Sequence, residues 1–137
     1  MDREAGAARL RMLREILHVR QDNVAVKRRW FQDDYFDLWT WQELGDGKTV
    51  AFQLCYDKRN DERALSWRRD HGFDHLRVRT GRATDDSAAL LQGDAGVFPA
   101  VIVSRKLKIA GEGLPADVKK FVFHKVKAYV KGIKELR

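Results

Sequence analysis

The chain has 137 residues with 27 basic and 20 acidic side chains, a formal net charge of +7 and a single cysteine, Cys55. That length suits one domain, residues 1–137, with one core that needs no staple to fold. A lone thiol excludes an internal disulfide framework, and no apolar run approaches the ~20 residues of a membrane-spanning helix.

Leu10, Leu13, Ile16 and Leu17 recur at helical spacing and predict a short amphipathic helix over residues 7–18. Met12 can serve as an alternative start, which would make residues 1–11 a disordered or weakly helical extension. That stretch lacks the apolar segment of an export leader, and with the unpaired thiol it leads to the expectation of a cytoplasmic protein. Asp22-Asn23 reads as a turn.

Residues 35–42 and 49–56 are rich in aromatic and β-branched side chains and flank Gly45-Asp46-Gly47, the pattern of a β-hairpin. A two-residue turn at Asp46-Gly47 would oppose Trp41 to Phe52, Trp39 to Leu54 and Asp37 to Tyr56 on one face. Leu38 would then face Cys55, and Thr40 would face Gln53, on the other. A one-residue bulge at Gly47 would shift this pairing and flip the faces.

Residues 57–63 are dense in charge and read as a loop, with a second hairpin over 64–67 and 73–80. Residues 81–96 carry turn formers and little to bury, so a surface loop, or a frayed helix at 88–91, is expected. Residues 97–103 read as a buried strand whose start Pro99 confines to an edge or a bulge. Gly111-Glu112-Gly113 breaks the chain, and Leu114-Pro115 opens a helix to about residue 133 with Asp117 in its first turn. The order has no alternation of strand with long helix. It predicts an α+β fold: an antiparallel β-sheet of four or five strands with an N-terminal helix and a longer C-terminal helix packed on one face.

Arg28-Arg29-Trp30-Phe31, Asp34-Tyr35-Phe36-Asp37-Leu38 and Phe52-Gln53-Leu54-Cys55-Tyr56-Asp57-Lys58 form a distinctive set of runs, continued by Glu62-Arg63-Ala64-Leu65-Ser66-Trp67 and by Gly72-Phe73, His75 and Arg77-Val78. Over residues 26–80 the chain resembles a group of small uncharacterised bacterial proteins that share this text. The resemblance implies a common fold and, the group having no assigned activity, supplies no catalytic residues. All four tryptophans (Trp30, Trp39, Trp41 and Trp67) fall within this region. Such rings can form a sheet core, an aromatic-walled pocket or a stacking platform for bases; period-two spacing favours the core.

Asp33, Asp34, Asp37 and Asp57 gather at the hairpin end away from its turn, beside Arg28, Arg29, Tyr56 and Lys58. Paired carboxylates in unlike environments can divide general acid and base roles, so Asp37, Tyr56 and Asp57 are the catalytic candidates. An ion-pair network that caps the strand ends explains the same residues. His71 and His75 lie four apart, a metal-binding spacing on a helix, but Gly72 and the strand-like residues beyond argue for a turn, so no metal or cofactor is expected. Cys55 in mid-strand reads as a small packed residue rather than a nucleophile.

The charge is lopsided. Residues 105–137 hold ten of the basic side chains and three of the acidic ones, so the rest of the chain is balanced and the whole excess sits in the last quarter. On the predicted C-terminal helix, Val118, Val122, Val126, Tyr129, Val130 and Ile133 form one face. Lys120, Lys127, Lys131 and Lys134 form an opposite stripe, which Arg77, Arg79 and Arg82 could extend. The leading expectation is a non-catalytic binding or accessory domain whose basic helix contacts an anionic partner, nucleic acid being its sharper form; a solvated face explains the same lysines. The alternative is a small enzyme or ligand binder around Asp37 and Tyr56.

Overall fold

The computed structural model describes residues 12–78 and 91–135. Seven strands follow one another in a single antiparallel sheet: β1 Arg14–Ile16, β2 Val26–Gln32, β3 Asp37–Glu43, β4 Thr49–Tyr56, β5 Arg63–Arg68, β6 Gly72–Val78 and β7 Leu91–Asp94. Spatial order equals chain order, so each strand pairs with the one before it. Among the described residues two helices follow the sheet, α1 Ala100–Ala110 and α2 Ala116–Glu135, joined by a 3-10 turn at Gly111–Gly113.

The α+β class holds, but the expected four or five strands are seven, and three parts of the forecast are corrected. Residues 7–11 of the expected N-terminal helix lie outside the described residues, and within its remainder Arg14–Ile16 is an edge strand paired with Trp30–Gln32. Leu13 donates its N–H to Ala110 O at 2.9 Å and is buried in the core, so its apolar side chain is satisfied by the helices without being on one. Residues 97–103 are not a strand: Pro99 precedes α1, whose Val103, Leu107 and Ala110 point inward at helical spacing. The β-branched run Val101-Ile102-Val103 mimics a strand, yet only Val103 is buried. Tertiary burial along one stripe outweighs the few tenths of a kcal/mol that β-branching costs a helix. Leu91–Asp94, expected in a loop, pairs with β6.

The hairpin of β3 and β4 is present with a register one residue from the two-residue-turn expectation. Asp37 faces Cys55, Leu38 faces Leu54, Trp39 faces Gln53, Thr40 faces Phe52 and Trp41 faces Ala51. The loop spans Leu44 to Gly47, with Gly47 N–H donating to Glu43 O at 2.9 Å and Lys48 N–H to Asp46 Oδ1 at 2.9 Å. Gly47 takes φ 74°, a left-handed conformation that glycine accepts at no steric cost. The pairing then slips between Trp41 and Gln42, where Val50 is the extra residue of a β-bulge.

This slip sorts the sheet's two faces. Phe31, Leu38, Phe52, Leu54, Tyr56 and Leu65 share one core with α1 and with Val118, Val122 and Val126 of α2. Trp30, Trp39, Asp37, Gln53, Cys55 and Ala64 alternate onto the other face, and they are buried although neither helix lies there. The segment before β2 folds over part of that face. Gln21 bonds both backbone groups of Arg28, and the Arg28 guanidinium reaches Arg20 O at 2.6 Å and lies 5.3 Å from the Trp39 ring. Trp39 stacks on Trp30 with ring centroids 4.8 Å apart and planes 6° off parallel.

At α1's end the backbone comes close to α2, and a Cβ on Gly111 would stand 2.4 Å from Phe123 Cζ, which only glycine avoids. Trp39 is fully buried on the face away from α1 and α2, so Trp39→Ala is expected to lower the unfolding free energy by about 3–5 kcal/mol in a urea titration. A loss below about 1 kcal/mol would show that the ring is not packed as described.

Candidate functional site

The catalytic candidates are divided by the sheet. Asp37 sits on the face away from α1 and α2 at 1% exposure; Tyr56 is on the face those helices cover, at 2%. Asp37 Oδ1 accepts from Trp30 Nε1 at 2.9 Å and from Gln32 Nε2 at 3.2 Å, and stands 3.5 Å from Lys58 Nζ. Lys58, itself buried, also donates to Asp33 O at 2.8 Å. Asp33 Oδ1 in turn accepts the N–H groups of Tyr35 and Phe36, closing the β2–β3 loop. While the more exposed Asp34 pairs with Arg59 at 2.8 Å, Asp37 and Lys58 thus form a buried, hydrogen-bonded ion pair that pins the β2–β3 loop to the strand end. Removing one partner of such a pair leaves an uncompensated buried charge. Asp57 takes φ 58° in the turn after β4 and accepts from Asn60.

Tyr56 instead meets His75, with its hydroxyl 2.6 Å from Nε2. Nδ1 of the same ring lies 3.0 Å from Gly96 O. A carbonyl oxygen only accepts, so Nδ1 carries the proton, Nε2 is the acceptor and Tyr56 donates. Phe98 stands edge-on to both rings. Burial raises the Tyr56 hydroxyl to about 12, against the opposing pull of the Arg63 guanidinium, and burial lowers His75. Both groups therefore hold fixed protonation states at neutral pH, which suits a latch better than a proton-transfer pair. Arg63 Nη1 donates to Ala95 O at 3.1 Å, so two side chains of the sheet grip the segment that leads from β7 into α1. Cys55 is fully buried, its thiol raised well above the ordinary value by burial, and it donates to Gln53 Oε1 at 3.4 Å. A thiol kept protonated in this way is no nucleophile.

The two candidate metal ligands are apart in role. His71 is half exposed and pairs with Asp74 at 2.8 Å, while His75 is committed to Tyr56 and Gly96. Among the described residues no three His, Cys, Asp or Glu side chains gather as a metal site would require.

Lys120, Lys127 and Lys131 are exposed along α2, as the helical periodicity expects; Lys134 is in α2, its side chain outside the described residues. Arg77 is 3.7 Å from Asp61, and Arg79 and Arg82 lie outside the described residues. The lysine stripe borders something the sequence reading missed, because it required α1. Between the two helices runs a groove of ≈ 560 Å³, floored by Leu107, Phe123 and Val126 and rimmed by Ser104, Lys108, Lys120, His124 and Lys127. The signal was Val103, Leu107 and Ala110 at helical spacing, masked by the adjacent β-branched residues. Lys119 pairs with Glu112 at 3.2 Å and Lys125 lies 4.1 Å from the Trp67 ring centroid. Among the described residues, Lys108, Lys120, Lys127 and Lys131 have no carboxylate within ion-pair distance. A second cleft, of ≈ 480 Å³, opens on the opposite face beside Trp41 and Gln53.

No family model, curated protein or solved structure matches the chain.

The latch makes a pH prediction. With the His75 pKa below its ordinary 6.5, the unfolded chain takes up a proton that the folded chain refuses, so this residue's contribution is full above pH 6.5 and is lost as pH falls below it. Asp94 favours and Arg63 opposes protonation of the folded ring. Urea titrations at pH 7.5 and 5.5 are expected to show a smaller acid-side loss in His75→Gln than in the parent. An equal loss would contradict the latch.

Proposed function

We propose that this chain is a binding domain whose α1–α2 groove docks an acidic amphipathic helical segment of a partner protein. The supporting observation is the combination of an apolar floor with a rim of cations that have no ion-pair partner among the described residues. Phosphate backbones need the cations but not Leu107, Phe123 and Val126. A helix bearing leucines at i, i+3, i+4 and i+7 and glutamates beside them uses both. A base-stacking reading loses its platform, because Trp39 is fully buried, and it faces away from the helices together with Trp30 and Trp41. The enzymatic reading loses its pairing, since the sheet stands between Asp37 and Tyr56.

The helix α1 of 11 residues is about 16 Å long, which matches roughly three turns of a partner helix. A patch of that size suits a transient complex rather than an obligate one. The rim charges accelerate encounter and make the affinity fall with salt.

The reading is tested by fluorescence anisotropy with a labelled synthetic peptide carrying leucines at that spacing and glutamates elsewhere, beside a scrambled peptide of identical composition and a single-stranded oligonucleotide. The patterned peptide is expected to bind about ten-fold or more tighter than the scrambled one. Lys120→Glu with Lys127→Glu, both on exposed positions, is expected to abolish binding without loss of fold. Equal binding of the two peptides, tighter binding of the oligonucleotide, or no binding at all would each contradict it.

A further inference from the structure

The second cleft is separate from the groove and lies across the sheet from it. Trp41, Val26 and Ala51 supply apolar wall, and Ser66 and Gln53 also line it. Its volume of ≈ 480 Å³ falls in the size range of small-molecule sites. Two charges at its edge set its chemistry. Arg69 is neutralised by Glu43 at 2.7 Å. Arg68 and Asp70, which also line the cleft, have no ion-pair partner within 4 Å among the described residues. One cation and one anion without ion-pair partners among the described residues, two residues apart in sequence, therefore border a wall made of an indole and aliphatic side chains.

We propose that this cleft binds a free α-amino acid with an apolar or aromatic side chain. The guanidinium of Arg68 takes the α-carboxylate, for which its planar fork is the matched donor. Asp70 takes the α-ammonium, and the ligand's side chain lies against Trp41, Val26 and Ala51. A ligand with one charge leaves either Arg68 or Asp70 uncompensated, so recognition should require both charges on the same molecule. The cleft's location on the face away from α1 and α2 makes this binding independent of the α1–α2 groove.

The test is calorimetric titration of the full chain with L-phenylalanine, with 3-phenylpropanoate, which keeps only the carboxylate, and with phenylalaninamide, which keeps only the ammonium. L-Phenylalanine is expected to bind saturably, with each single-charge analogue about ten-fold weaker or worse. Arg68→Met and Asp70→Asn, with folding checked by circular dichroism, are each expected to lose a similar factor. Lys120→Glu, at the groove, is expected to change nothing. Absence of saturable binding by L-phenylalanine, an analogue that binds as well as it does, or unchanged affinity in Arg68→Met would overturn the proposal.

Discussion

The register of β3 on β4 is the constraint on which the rest of this molecule depends. Side chains alternate across a strand, so a slip of one residue moves every partner to the other face. The four-residue loop closed by Gly47 and the bulge at Val50 together place Leu38 against Leu54 and Asp37 against Cys55. That arrangement sends Leu38, Phe52, Leu54 and Tyr56 into the helix-covered core. It leaves Trp39, Asp37, Gln53 and Cys55 on a second buried face that must satisfy itself. The ring stack of Trp30 on Trp39 and the Asp37–Lys58 ion pair meet part of that demand, with Trp30 Nε1 bonded to the same carboxylate, while Trp39 Nε1 has no hydrogen-bond partner among the described residues.

From this division follow the different characters of the two surfaces. The helix side ends in a layer of lysines over an apolar groove, and the other side ends in a small cleft bounded by one arginine and one aspartate without ion-pair partners among the described residues. The joint between sheet and helices is the segment from Ala95 to Phe98. His75 and Arg63 hold two of its carbonyl groups, and Phe98 inserts between Tyr56, His75 and Tyr129. The orientation of α1, and with it the groove, thus depends on side chains of β5 and β6. The buried side chains of Tyr56 and His75 are hydrogen-bonded to each other within this joint.

Much of this was legible in the sequence where local signals and tertiary demand agree. The strands around Gly45-Asp46-Gly47, the helix opening at Pro115 and the separation of Val118, Val122 and Val126 from Lys120 and Lys127 all follow from spacing alone. The errors arise where one pattern serves two structures. Leu10, Leu13, Ile16 and Leu17 have helical spacing, yet Leu13 is buried by docking against Ala110 and Gly113, a contact no local window contains. Val101-Ile102-Val103 looks like strand, whereas the inward stripe of α1 continues to Leu107 and Ala110, beyond the strand end expected at residue 103. The pairing of Asp37 with Tyr56 rested on a turn two residues long. Asp-Gly announces a turn but not its length, and the length decides the face.

A nuclear Overhauser spectrum of the β3–β4 hairpin tests that register most directly, because short Hα–Hα contacts join only residues directly opposed across the strands. Contacts at alternate members of the series Leu38–Leu54, Trp39–Gln53 and Thr40–Phe52, those not joined by ladder hydrogen bonds, are the predicted result. Hα–Hα contacts of Leu38 with Cys55 or of Trp39 with Leu54 would contradict it. They would return Asp37 to the same face as Tyr56.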